Sequence, residues 1–122
     1  MKRVLVVDDN AMVRRLLKKF LSKKGYEVGE ASGGAEAVAL FDEFQPDLML
    51  LDIKMPDMDG LEVLQKIGAK SSHVRIIMLT GVNDDQTGQE ALALGAADFL
   101  IKPINLDQVQ IHLDVYGVLQ SD

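Results

Sequence analysis

Five side chains suited to binding a metal ion or a phosphate stand at the ends of four apolar runs. Val4-Leu5-Val6-Val7 leads into Asp8-Asp9, and Leu48-Met49-Leu50-Leu51 leads into Asp52. Ile76-Ile77-Met78-Leu79 ends at Thr80-Gly81, and Phe99-Leu100-Ile101 ends at Lys102-Pro103. Three carboxylates left together would repel and raise one another's pKa values. A hard divalent cation relieves that repulsion, and Mg²⁺ in particular takes carboxylate oxygens and is typically completed by a phosphate. A carboxylate beside such a metal, a hydroxyl and an ammonium suits in-line phosphoryl transfer onto the carboxylate. Mg²⁺ and Lys102 would offset charge on the equatorial oxygens, Thr80 would donate a hydrogen bond to one of them, and Gly81 would leave room for approach.

That chemistry requires the five groups to meet, and the elements carrying them supply the reason. Short unbroken runs of Val, Ile and Leu read as parallel strands buried on both faces. Parallel strands bring their carboxyl ends to one edge of the sheet, where open α/β folds place their sites. Taken singly, each signal is weak. Asp8-Asp9 is a common pattern before a helix, Asp52 suits a turn, and Lys102 suits a solvated surface. Jointly, four strand ends bearing complementary groups point to one site.

The segments between the strands read as helices. Val13, Leu16, Leu17, Phe20 and Leu21 recur at helical spacing and predict an inner face, with Gly25 as the stop. Tyr26 to Ala31, interrupted by Glu27 and Glu30, reads as an edge strand. Ser32 is placed to cap a helix whose inner face holds Ala37, Val38, Leu40, Phe41 and Phe44, ended by Pro46-Asp47. Met55 to Gly60 is a loop by its Pro, Asp and Gly content. Leu61, Leu64 and Ile67 then give a short helix, and Gly68 to Ser72 carries the chain out of it. Asn83 to Leu94 is expected to be helical, loosened by Thr87 and Gly88. The last helix is expected from near Asn105 to about Leu119. Five strand–helix alternations predict an α/β domain with a doubly wound parallel sheet and right-handed crossovers.

The chain of 122 residues fits one domain, 1–122, with no internal repeat or linker. Apolar residues make up 48 % and charged residues 26 %, as in soluble globular proteins. No apolar run approaches the ~20 residues of a membrane span, the start is unlike a signal peptide, and the cytoplasm is the expected location. Without cysteine, disulfides and thiolate sites are excluded. The net charge of −6 argues against non-specific nucleic-acid binding. It is also unevenly spread: eight basic and two acidic residues in the first 24 positions give +6, and the remainder carries −12. A basic helix face there suits either solvation or docking of an acidic partner.

The residues and their order resemble the receiver domain of two-component response regulators, from Lys2 to about Leu119. The matching features are Asp8-Asp9, Asp52 followed by Met55-Pro56 and Asp59-Gly60, Thr80-Gly81, and Lys102-Pro103. The resemblance implies a flavodoxin-like fold with five helices and a five-stranded sheet in the order 2-1-3-4-5. It implies that Asp52 accepts a phosphoryl group from a phosphohistidine on a sensor histidine kinase or phosphotransfer protein. Asp9, Asp52 and the Lys54 backbone carbonyl would bind Mg²⁺, with Asp8 acting largely through water. Thr80 and Phe99 would be the switch pair, Lys102 would contact the phosphoryl group, and the Lys102-Pro103 bond would be cis. Cis is otherwise found in about 5–6 % of X-Pro bonds. Beyond its own phosphorylation and dephosphorylation, no enzymatic activity is expected.

Lys54 and Val82 would flank the path of the water that hydrolyses the aspartyl phosphate. Val82 cannot orient water and Lys54 is long enough to cover the site, so slow self-dephosphorylation is expected. Phe99 has no hydroxyl, so its rearrangement should be driven by packing. Leu106, Val109, Leu113 and Tyr116 mark the inner face of the last helix. Ile111, Val115, Val118 and Leu119 lie nearly opposite, a surface for a partner or a phosphorylation-dependent homodimer. His73 and His112 have no ligand spacing and read as surface residues.

Two other classes use similar parts. A Mg²⁺-dependent aspartyl-phosphate phosphatase puts a second Asp two residues after its nucleophile on the first strand, unlike Asp8-Asp9-Asn10 or Asp52-Ile53-Lys54. A small flavodoxin-like cofactor-binding protein needs a hydroxyl- and glycine-rich phosphate loop after that strand, where Asp8-Asp9 would repel phosphate. A stand-alone regulator and a receiver from a larger regulator with a downstream output remain alternatives, and the Met1-Lys2-Arg3 start disfavours an internal hybrid-kinase receiver.

Overall fold

The computed structural model describes residues 2–70, 73–81 and 85–116. Strands β1 (Arg3–Val7), β2 (Glu27–Ala31), β3 (Leu48–Asp52), β4 (Arg75–Thr80) and β5 (Asp98–Ile101) alternate with helices α1 (Ala11–Lys23), α2 (Gly34–Phe44), α3 (Gly60–Lys70), α4 (Asp85–Ala93) and α5 (Leu106–Val115). All strand pairs are parallel, in the order β2-β1-β3-β4-β5. The four apolar runs are thus four strands of one sheet, and the more polar Glu27–Ala31 segment is an edge, as its composition predicts.

The sheet is buried on both faces because side chains alternate across it. Leu5, Val7, Met49, Leu51, Ile76 and Met78 enter one core with Phe41, Val63 and Ile67. Val4, Val6, Leu48, Leu50, Ile77 and Leu79 enter the other with Leu17, Leu21, Val109 and Leu113. Helices α2 and α3 therefore cover one face, and α1 and α5 the other. Between Arg3 and Arg75 at their amino ends and the acids and Thr80 at their carboxyl ends, the three central strands carry only apolar, buried side chains.

Several local expectations change. Leu16 is 41 % exposed rather than inward, because Leu17 and Leu21 already fill the contact between α1 and the sheet. Asn10, accepting from the Met12 and Val13 amides, caps α1, and Gly25 follows the helix with φ +96°. Ser32 does not cap α2. Gly33 is the N-cap, and Ser32 instead donates its amide and hydroxyl to Glu36 at 2.8 and 3.0 Å. Helix α3 runs through Gly68 to Lys70, where an early exit was expected. Val82, Asn83, Val118 and Leu119 lie outside the described residues.

The acidic site at the carboxyl edge

Register brings the functional strand ends level. Val7 pairs with Leu51, Asp52 with Leu79, and Thr80 with Ile101, so Asp8, Asp52, Thr80 and Lys102 emerge along one edge. Asp8 is fully buried and Asp52 is 5 % exposed. Asp9 is exposed. One carboxylate oxygen from each of the three lies within 4.8 Å of the others. Asp9 and Asp52 open on a cleft of about 490 Å³, also lined by Asn10, Lys54, Gly81 and Lys102, with Asp8 buried behind it.

Each carboxylate is held differently. Asp8 Oδ1 accepts the Asn10 amide at 2.9 Å, and the Asp8 carbonyl accepts from Arg14 Nη1 at 2.8 Å. Its buried Oδ2 has the Lys102 ammonium 2.8 Å away. The same ammonium lies 3.4 Å from Asp52 Oδ2, so one cation bridges two carboxylates. Three carboxylates against one ammonium leave an excess of negative charge. Burial, and next the charge of Asp8, push the Asp52 carboxyl up to about 6, with Lys102 opposing and Asp9 adding to the rise. Burial disfavours the charged form of Lys102, but the hydrogen bond to Asp8 and the charges of Asp52 and Asp8 outweigh it and raise its pKa. An oxygen-only, electron-rich cluster with two of its three acids buried fits a hard divalent cation.

The loop after β3 is shaped around this site. Gly60 donates its amide to the Ile53 carbonyl at 2.7 Å, and a Cβ there would overlap the Asp52 carbonyl oxygen. The backbone at Gly60 therefore lies directly against the acid. Asp59 accepts the Leu61 amide at 2.8 Å through Oδ1 and starts α3. On the other side, Thr80 is 2 % exposed and its hydroxyl donates to the Leu100 carbonyl over a long 3.5 Å. That weak bond leaves the hydroxyl available to a stronger acceptor. Phe99 is half-buried against α4, where a Cβ on Gly88 would stand 3.1 Å from its ring. Lys102 donates its amide to the Thr80 carbonyl at 2.7 Å, and the Lys102-Pro103 bond is cis.

His112 departs from the surface reading. Its Nε2 lies 3.2 Å from Asp98 Oδ2, its Nδ1 lies 2.8 Å from the Gln108 carbonyl, and its ring stacks on Tyr116. Tyr116 in turn donates to Asp98 Oδ2 at 2.7 Å. These contacts fasten α5 to β5 one residue from Phe99. Spacing within α5 hints at the His112–Tyr116 pair, but nothing local points to Asp98. His73 is a surface residue as expected, its side chain 80 % exposed.

The model of the response regulator receiver domain matches residues 4–114. The chain is 42 % identical to the chemotaxis protein CheY of Bacillus subtilis over 108 residues, covering 88 % of this chain and 90 % of that protein. It is 37 % identical over 119 residues to the regulatory protein AtoC of Escherichia coli, covering 98 % of this chain but 26 % of that protein. Among solved structures, the CheX–CheY–BeF3–Mg²⁺ complex of Borrelia burgdorferi superposes with a TM-score of 0.87 at 29 % identity, covering 94 % of this chain and 89 % of that one. With its fold, its acidic edge and these relatives together, the chain belongs to the response regulator receiver domains, phosphoacceptor signalling modules of two-component systems.

Proposed function

We propose that Asp52 is the phosphoacceptor, taking a phosphoryl group from a phosphohistidine on a sensor histidine kinase or phosphotransfer protein. The observation that carries this is the placement of Asp52. It is the acid that register sets in the middle of the edge, nearly buried, facing the cleft and within reach of Lys102. Receiver domains generally bind Mg²⁺ at an acidic pocket. Here Asp9, Asp52 and the Lys54 carbonyl would hold it, with Asp8 acting through water. Bound there, Mg²⁺ supplies Lewis-acid neutralisation of phosphoryl charge.

The chain's own groups do the rest. An Asp52 oxygen attacks phosphorus as the bond to the donor imidazole breaks, and the imidazole leaves with the bonding pair. Lys102 moves from bridging two carboxylates to contacting the transferred group. Thr80 exchanges its long bond to Leu100 for a phosphoryl oxygen. Gly81, without a side chain, leaves the approach open. The added charge of roughly −1.5 to −2 is the signal. Phe99 follows Thr80 through packing against Gly88, and α4 moves with it. This is a population shift limited by the difference in phosphoryl contacts between the two states.

The domain's only chemistry is its own phosphorylation and dephosphorylation, and it signals through a protein target or an attached output. Exposed Leu94, Ile101, Ile111 and Val115 support a partner or homodimer surface formed by the end of α4, β5 and α5. Fluorine NMR with beryllium fluoride and Mg²⁺ tests the acceptor directly. A bound fluoride signal is expected in the wild type and not in Asp52→Asn, and an equal signal in both would overturn the assignment.

A further inference from the structure

The loops after β2 and β3 are joined by a clamp that phosphoryl transfer itself does not require. Gly33, the N-cap of α2, has no side chain with which to cap. The missing acceptor arrives from the other loop. Gly34 donates its amide to Asp57 Oδ1 at 3.1 Å, and Ala35 donates to Asp57 Oδ2 at 3.0 Å. Those two amides hold the Asp57 carboxyl below its ordinary range, so it stays ionised at the positive end of α2.

Both glycines are there for space. Gly33 has an extended backbone, φ −165°, that any residue adopts, yet a Cβ on it would stand 2.7 Å from Asp57 Oδ1. A Cβ on Gly34 would stand 2.7 Å from Met58 Cβ and 2.8 Å from Val63 Cγ2. Ser32-Gly33-Gly34 is thus a seat for the tip of the β3–α3 loop. The base of that loop is closed separately, by the bond from Gly60 to Ile53. Lys54 lies between the closed base and the clamped tip.

We propose that Asp57 is a positioning residue for the metal site, fixing the backbone of Lys54 by tying the loop to α2. The inference rests on the assignment of the Lys54 carbonyl as a metal ligand. With the clamp intact the carbonyl is held ready. Without it, cation binding must also order the loop, and affinity falls. A clamp that served only the fold would lower stability and leave affinity for Mg²⁺ unchanged.

Calorimetric titration with MgCl₂, alongside urea unfolding, separates these cases in wild type, Asp57→Ala and Gly33→Ala. Both variants are expected to weaken Mg²⁺ binding by on the order of tenfold, the lower end of the range for lost supporting contacts to a metal site. Gly33→Ala displaces the carboxylate while keeping its charge, so a loss there is not simple removal of a negative charge. It also serves should Asp57→Ala fail to fold. Wild-type affinity in either folded variant overturns the inference while leaving the acceptor assignment standing. Absence of Mg²⁺ binding by the wild type would instead overturn the metal assignment, and this inference with it.

Discussion

Replacing Asp52 with Asn should stabilise the protein without metal, by an amount that depends on pH. In the folded chain burial and Asp8 raise the Asp52 carboxyl from 3.8 to about 6. A carboxyl with a higher pKa folded than unfolded binds more protons when folded, so stability falls as pH rises through that window. The loss is complete above the folded value. At 1.36 kcal/mol per pKa unit the full effect is about 3 kcal/mol, and solvent reaching the cleft reduces it to about 1–3 kcal/mol. Asn is nearly isosteric and carries no charge, and Lys102 keeps Asp8 at 2.8 Å. Urea unfolding with chelator present should therefore show Asp52→Asn more stable by about 1–3 kcal/mol at pH 7.5, and nearly equal to wild type near pH 3.5. Millimolar Mg²⁺ should narrow the gap at pH 7.5 by stabilising the wild type more. A variant less stable than wild type at pH 7.5, or a gap independent of pH, would refute the reasoning.

Lys102→Ala should lower stability by about 1–3 kcal/mol without Mg²⁺, because Asp8 loses its buried partner, and urea unfolding with added Mg²⁺ should recover much of that loss. Gly60→Ala should destabilise by about 1–3 kcal/mol, since a Cβ there meets backbone, and should slow phosphorylation measured by mass spectrometry at fixed acetyl phosphate. Val82→Glu should speed loss of phosphate from a slowly self-hydrolysing wild type; rapid loss unaltered by the substitution would contradict the roles given to Lys54 and Val82. Sedimentation velocity should show self-association promoted by beryllium fluoride and abolished by Ile111→Glu, and a monomer under both conditions would count against the homodimer.

The strands and their acidic edge were legible because they depend on local pattern. Runs such as Leu48–Leu51 admit no polar face, so they had to lie in a parallel sheet covered on both sides. Parallel order then placed Asp8, Asp52, Thr80 and Lys102 together without any knowledge of contacts. What escaped the sequence are meetings between distant side chains. Asp57 looks like an ordinary turn residue, and its partner amide at Gly34 lies 23 positions away. His112 has no ligand spacing because its partner, Asp98, sits on another element. Leu16 fits the apolar periodicity of α1, yet lies outside because two other leucines fill the contact. Helix periodicity specifies a face and not how wide a stripe the sheet covers.

The central claim is that Asp52 accepts the phosphoryl group in a reaction that depends on divalent metal. Intact-protein mass spectrometry after incubation with acetyl phosphate, with and without Mg²⁺, tests it most directly. The account predicts one phosphoryl group on the wild type with Mg²⁺, none without it, and none on Asp52→Asn. Equal modification of Asp52→Asn, or modification that persists in chelator, would contradict it.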